Sequence, residues 1–187
     1  MTNQAYFKFD QEKALAALLY VTAKLYEFQH NAPSSHQVFK ILYFADQKSL
    51  AGYGRPISGD YYVAMRHGPV PSTMYDMLKS ARGDDNFTKN DFFLEHVEVL
   101  GNHYIKPKIS PDMDSLSETD LECLDDSIKE NYRKNFSELQ DKSHGSAWAK
   151  SDENDKMRPE DIAEEGGADK EMIEYIKANL ENEKVFK

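Results

Sequence analysis

Apolar residues at three- and four-residue spacing recur in stretch after stretch of this chain, and nearly every stretch opens on a residue that can cap a helix. Asp10 precedes the stripe Leu15, Leu18, Leu19, Leu25 and Tyr26, which runs to about Gln29 before Asn31 and Pro33 stop it. Ser34, with Gln37 three residues on, reads as a capping box for a second helix carrying Val38, Ile41, Leu42 and Ala45, ended by Gly52 and Gly54. Residues 61–65 read as extended, Gly68, Pro69 and Pro71 as a turn, and Ser72 as the cap of a helix with Met74, Met77, Leu78 and Ala81 inward. After a polar loop at 82–91, two strands at 92–100 and 103–109 flank the hairpin turn Gly101-Asn102, and Pro107 puts the second at an edge. Ser117 and Asp120 cap a helix with Leu121, Leu124, Ile128 and Tyr132; a shorter helix follows at 137–143. Residues 149–168 read as a polar surface connection, and Asp169 caps a last helix at 169–184 with Met172, Ile173, Ile176 and Leu180.

The pattern predicts a mainly α fold with a small antiparallel β-sheet (α+β): one compact helical domain spanning 1–187 and carrying a β-hairpin. A chain of 187 residues can bury a sufficient core without a disulfide or metal. The lone Cys123 cannot pair internally, which fits a reducing cytoplasm. No apolar run suits a membrane span, and the first ten residues lack the regions of a signal peptide. Residues 1–109 carry 12 Lys/Arg and 11 Asp/Glu, whereas 110–187 carry 11 and 22. So acidic a second half argues against nucleic acid as a partner and suits either a basic protein partner or solubility.

Chemistry is sparse. The six histidines form no HxxxH or HExxH pair, and no CxxC, GxGxxG or P-loop pattern occurs, so neither a metal nor a cofactor is expected. Ser143-His144 invites a nucleophile–base reading, but adjacent residues seldom face each other. A histidine bonded to nearby backbone is the plainer account. Cys123 reads as inert filling, Trp148 as a core anchor, and Asp46 and Asp60 as a carboxylate pair or as caps and partners of Arg55.

The densest segment is KILYFADQKSLAGYGRPISGDYYVAMRHGPVPSTMY, from Lys40 to Tyr75. Pro56 fixes φ after the helix end, Gly59 permits a tight bend into Asp60, and Gly68 permits a left-handed or close-approach backbone. The pieces KILYFAD, YGRPISGD, YVAM and GPVPS, with Ser143-His144 and Ala147-Trp148 downstream, resemble the core motif of the Panacea domain, also called the SocA-like or phage-associated GepA-like domain. The resemblance covers roughly 15–180. It implies an antitoxin that neutralises a protein toxin, commonly encoded alongside it, and it supplies no catalytic residue. Direct contact is the mode it favours; a SocA-like member instead delivers its toxin to an ATP-dependent protease. Some members carry a DNA-binding domain, for which a first helix near Asp10 is expected to leave no room.

On this reading Lys40, Tyr43, Asp46, Arg55, Pro56, Gly59, Asp60, Ser143, His144 and Trp148 are motif residues with structural duties. The partner-binding candidates are Tyr61, Arg66, His67, Gly68, Pro69, Val70 and Pro71, where a rigid turn and helix start offer free N–H groups and an exposed charge. The same residues would also serve simply to join core elements. A hydrolase-type enzyme using Asp46, Asp60 or His144 in a shared cleft ranks below the antitoxin reading, and a phage protein imitating an antitoxin would share its binding chemistry.

Overall fold

A computed structural model describes residues 5–83 and 91–185. Its axis is α2 (Ser35–Tyr53), which is buried around most of its circumference. Val38, Ile41, Leu42 and Ala45 face one core, with α1 (Gln11–Gln29), α3 (Ser72–Arg82) and α5 (Glu118–Asn131) around them. Tyr43, Phe44 and Leu50 face a second core, closed by α6 (Phe136–Ser143), α8 (Pro159–Glu165) and α9 (Lys170–Val185). A helix apolar on nearly all sides belongs at the centre of a fold. The architecture is α+β and mainly helical, as the spacing predicts.

Most caps fall where expected. Asp10 accepts from the Lys13 amide, and Ser117 with Asp120 forms a complete capping box. Asp169 accepts from the Met172 amide. Ser34 makes only half of its box: its hydroxyl takes the Gln37 amide, while the Gln37 side chain donates to the Tyr132 carbonyl just past the end of α5. Gly54 closes α2 with φ 68°.

Four expectations need correction. The segment expected to turn at Gly68 is a strand: β1 (Tyr62–Met65) pairs antiparallel with β2 (Gly68–Pro71), leaving Arg66 and His67 as the loop. There are therefore two hairpins among the described residues rather than one. The second is shorter than the sequence suggests, because 91–96 form a helix, α4 (Asp91–His96), ahead of β3 (Val97–Leu100) and β4 (Tyr104–Pro107). Its loop has three residues, 101–103. Ser72 does not cap α3; it is the first helical residue, and the cap comes from Asp60. Residues 149–168 are not simply a surface connection: they include α8, with Met157, Pro159, Ile162 and Ala163 buried. Residues 84–90, within the expected polar loop, lie outside the described residues.

Each hairpin has a covered outer edge. Residues 154–157 run along β1, with Met157 donating to the Tyr62 carbonyl and Ala64 to that of Asp155. Residues 33–35 run along β4, with Ile105 donating to the Pro33 carbonyl and Ser35 to that of His103. Edges blunted in this way do not template aggregation.

Candidate functional site

The β1–β2 loop is two residues long, yet neither Arg66 nor His67 has positive φ, so the turn is not of the primed kind that matches strand twist. Gly68 makes the correction with φ 92°. It also supplies close approach: a Cβ there would lie 2.3 Å from Ser143 Oγ and 3.1 Å from Lys40 Nζ. Both properties expected of Gly68 are present together.

Around this loop the two halves of the motif meet. From α2, Lys40 Nζ donates to the Pro69 carbonyl at 2.7 Å. From α7 (Ser146–Ala149), Trp148 Nε1 donates to the Met65 carbonyl at 3.0 Å. From α6, the Gln140 side chain meets His67 Nδ1 at 2.9 Å, and the Gln140 carbonyl accepts from Ser143 Oγ. The indole of Trp148 stacks on His144 with centroids 3.9 Å apart. His36 stacks on Phe136 at 4.0 Å, and His67 meets the same ring edge-on at 5.5 Å. The hairpin tip is thus gripped from three helices.

The grip is electrostatically unusual. Lys40 is 1% exposed and donates to a carbonyl rather than to a carboxylate. Burial therefore pushes its ammonium down to about 7. Burial, and then the Lys40 charge, hold the His36 imidazole down to about 4 and lower that of His144 as well. The backbones of His67 and Arg66, respectively, favour the charged rings and are outweighed. Nε2 of His36 and of His144 is buried without a hydrogen-bond partner. Burial thus disfavours the charged form of both rings.

The remaining motif residues brace the frame below. Asp46 is buried and accepts from the Ile57 amide at 2.6 Å and the Tyr62 hydroxyl at 2.7 Å, and burial raises it to about 6. Asp60 follows Gly59 (φ 74°) and takes the Thr73 and Met74 amides at 3.0 and 2.9 Å, so its charge sits on the N-terminus of α3. Burial raises Asp60 too. Arg55 pairs with neither carboxylate; it meets Asp120 at 2.9 Å, which Lys13 reaches from the other side at 2.7 Å. Pro56 is buried beside this bridge. An open groove of about 820 Å³ runs past it, with Lys13 and Arg55 in its wall and α9 on its far side. Asp46, Asp60 and His144 each have a separate duty.

Among the partner-binding candidates, Arg66 and His67 are exposed, whereas Gly68, Pro69 and Pro71 are buried and Val70 is half-buried. Tyr61 is occupied elsewhere, its ring 5.7 Å from that of Tyr6 and 3.8 Å from Lys156 Nζ. Sequence reasoning missed Glu165. Its carboxylate takes Gln47 Nε2 at 2.6 Å, the Tyr43 hydroxyl at 3.4 Å and the Ala147 amide at 2.6 Å, joining α2 to the start of α7. Burial, then Glu165, raise the Tyr43 phenol. Pro159 followed by two acids, then Ile162 and Ala163, was the available signal for the helix that carries Glu165.

Among the described residues no group of three or more His, Cys, Asp or Glu is placed to hold a metal ion, and no helix is long and apolar enough to cross a membrane. Neither the curated proteins nor the solved structures offer a match. A family model described as "Antitoxin SocA-like, Panacea domain" matches residues 38–149, from the second residue before Lys40 to the one after Trp148. That span is more than half of the chain and contains both sides of the grip, so the chain belongs to the SocA-like antitoxin family and carries its Panacea domain.

Proposed function

We propose that this protein is an antitoxin that neutralises a cognate protein toxin, encoded by the adjacent gene, through direct contact at the β1–β2 tip and without catalysis. The observation that carries this reading is the gripped hairpin. Lys40 and Trp148, from distant parts of the chain, both donate to its carbonyls, and what the fixed tip presents is Arg66 and His67. A pre-ordered loop loses little entropy on binding, so its contacts translate more fully into affinity. The whole chain acts as one cytoplasmic domain in this proposal, with the tip on its surface.

The test is co-expression with the product of the adjacent gene, scoring growth rescue and co-purification, in wild-type cells and in cells lacking the relevant ATP-dependent protease. Rescue with a stable complex in both strains supports neutralisation by occlusion. Rescue that vanishes without the protease replaces occlusion with delivery for degradation. Rescue with no complex in either strain replaces contact with repair of the toxin's damage. Failure of a folded, expressed chain to rescue overturns the proposal.

A further inference from the structure

The grip ends at an exposed ring, and that ring begins a strip. Phe136 is 50% exposed, though it stacks on His36 and meets His67. Gln37, beside His36, donates to the Tyr132 carbonyl, which also accepts from Gln29 at the end of α1. The Tyr132 ring lies 5.0 Å from Phe28, which is 52% exposed. Tyr104 is 52% exposed and bridges to Ser34 at the start of α2. One end of the helix assembly therefore carries the exposed rings of Phe28, Tyr104 and Phe136, with the half-buried Tyr132 against Phe28. Exposed aromatic rings grouped on one side mark an interaction surface, and aromatic residues with arginine are the types that dominate such interfaces.

The strip also carries cations. The protein as a whole carries −10. On the strip, Arg66 adjoins His67, Arg133 lies over the Tyr132 ring at 5.1 Å, and Lys106 lies over Tyr26 at 5.8 Å. Among the described residues none of these three cations has an ion-pair partner. Acids lie nearby too: Glu27 is 3.9 Å from Lys24, Glu138 accepts from the Asn135 amide, and Glu98 faces Lys106 across the β3–β4 ladder. Lys40 lies buried beneath the tip and adds to the same sign whenever it is protonated.

We infer that this aromatic strip is the partner-binding surface and that it receives an acidic protein segment in which carboxylates alternate with apolar residues. The inference rests on the antitoxin reading and specifies its partner's chemistry. Apolar side chains of the segment lie on Phe28, Tyr132 and Phe136, while its carboxylates reach Arg66, Lys106 and Arg133. Single-stranded nucleic acid would also use rings and cations, but a chain of net charge −10 repels a polyphosphate as a whole. A short segment feels the local field instead.

The test uses the full chain, isotopically labelled, and amide NMR shifts read on titration with three probes. These are an alternating Glu/Phe peptide, a Lys/Phe peptide of the same length and a thymidine oligonucleotide. The expected result is shifts clustered at 26–28, 66–67, 104–106 and 132–136 with the acidic peptide alone, weakening as salt rises. Arg66→Glu with Arg133→Glu should weaken that binding about tenfold or more, whereas Tyr175→Ser on α9 leaves it intact. Larger shifts with the basic peptide or the oligonucleotide would overturn the inference. So would shifts centred elsewhere, no shifts at all, or shifts that follow the protein's own concentration and so mark self-association. Because the probes are independent of any toxin, a strip that binds the acidic peptide while co-expression fails would reject the antitoxin reading and keep the surface. Toxin binding that the double reversal leaves unchanged would do the opposite.

Discussion

Both hairpins bury apolar side chains, Tyr62 and Ala64 in the second core and Val97 and Ile105 in the first, but the β1–β2 tip is also held by side-chain hydrogen bonds. There an ammonium and an indole N–H hold individual carbonyls. In the β3–β4 hairpin, Val97 and Ile105 are each 1% exposed, and the far end, with Leu100 and Tyr104, projects into solvent. The strands are of equal length and each hairpin has one outer edge covered. What differs at the tips is the origin of the hold: side chains of α2 and α7 at the first, the Ser35 backbone amide at the second. Hydrophobic burial tolerates small rotations; a hydrogen bond to a buried carbonyl does not, because losing it strands the acceptor. A tip held by directional bonds keeps one shape, and that suits a surface on which another protein must land.

The contrast can be broken at its glycines. Gly68→Ala meets positive φ and a Cβ clash with Ser143 Oγ, so we expect a loss of about 3–5 kcal/mol by urea denaturation. Gly101→Ala has positive φ but nothing within 4 Å, and should cost about 1 kcal/mol. Equal costs would mean that the two tips are held alike. Next in size, Trp148→Ala should cost about 3 kcal/mol by lost packing and a stranded Met65 carbonyl, and Trp148→Phe about 1–2 kcal/mol. A near-neutral Trp148→Ala would remove one of the two suspending bonds from the account.

The buried ammonium gives a pH signature that the second hairpin lacks. The Lys40 ammonium titrates at about 7 in the fold against an ordinary value of 10.5, so between these values the unfolded chain holds a proton that the folded chain has released. Stability should therefore rise with pH in this range, by about 2 kcal/mol between about pH 7 and about pH 9. The Lys40→Met variant should lose that slope; a wild type without it would mean that Lys40 stays charged. The smallest effect on stability belongs to the tip itself. Arg66→Glu and His67→Asp should each change stability by no more than about 0.5 kcal/mol, yet both should abolish protection against the toxin. Protection that survives both would move the surface off the tip.

Much of this was legible in the sequence. The caps at Asp10, Ser117 and Asp169 are local events, decided within three residues, and local chemistry predicts them. The dense motif also reads correctly as a place where something is constrained. Its geometry does not read, because the partners are remote: Lys40 meets Pro69, Trp148 meets Met65, and Asp60 takes the Thr73 amide thirteen residues on. Proline in β2 disguised that strand as a turn, since a β1–β2 ladder with Pro69 and Pro71 contradicts ordinary strand preference. It is tolerated in a two-stranded ribbon. Arg66 and His67 stood out as polar residues in a rigid segment; which of their neighbours were covered depended on packing that no short window contains.

Glu165 sets the practical limits of the module. The family match stops at residue 149, yet the acid that receives Gln47, Tyr43 and the Ala147 amide lies beyond it, as does the strand-like segment 154–157 that covers β1. A chimera spliced at 149 would leave those donors facing whatever carboxylate the foreign tail happened to provide. Exchange of antitoxin parts between relatives should therefore succeed when the crossover falls after Gly166, whose Cβ would press within 2.6 Å of the Gln47 carbonyl, and fail when it falls at the end of the recognisable motif.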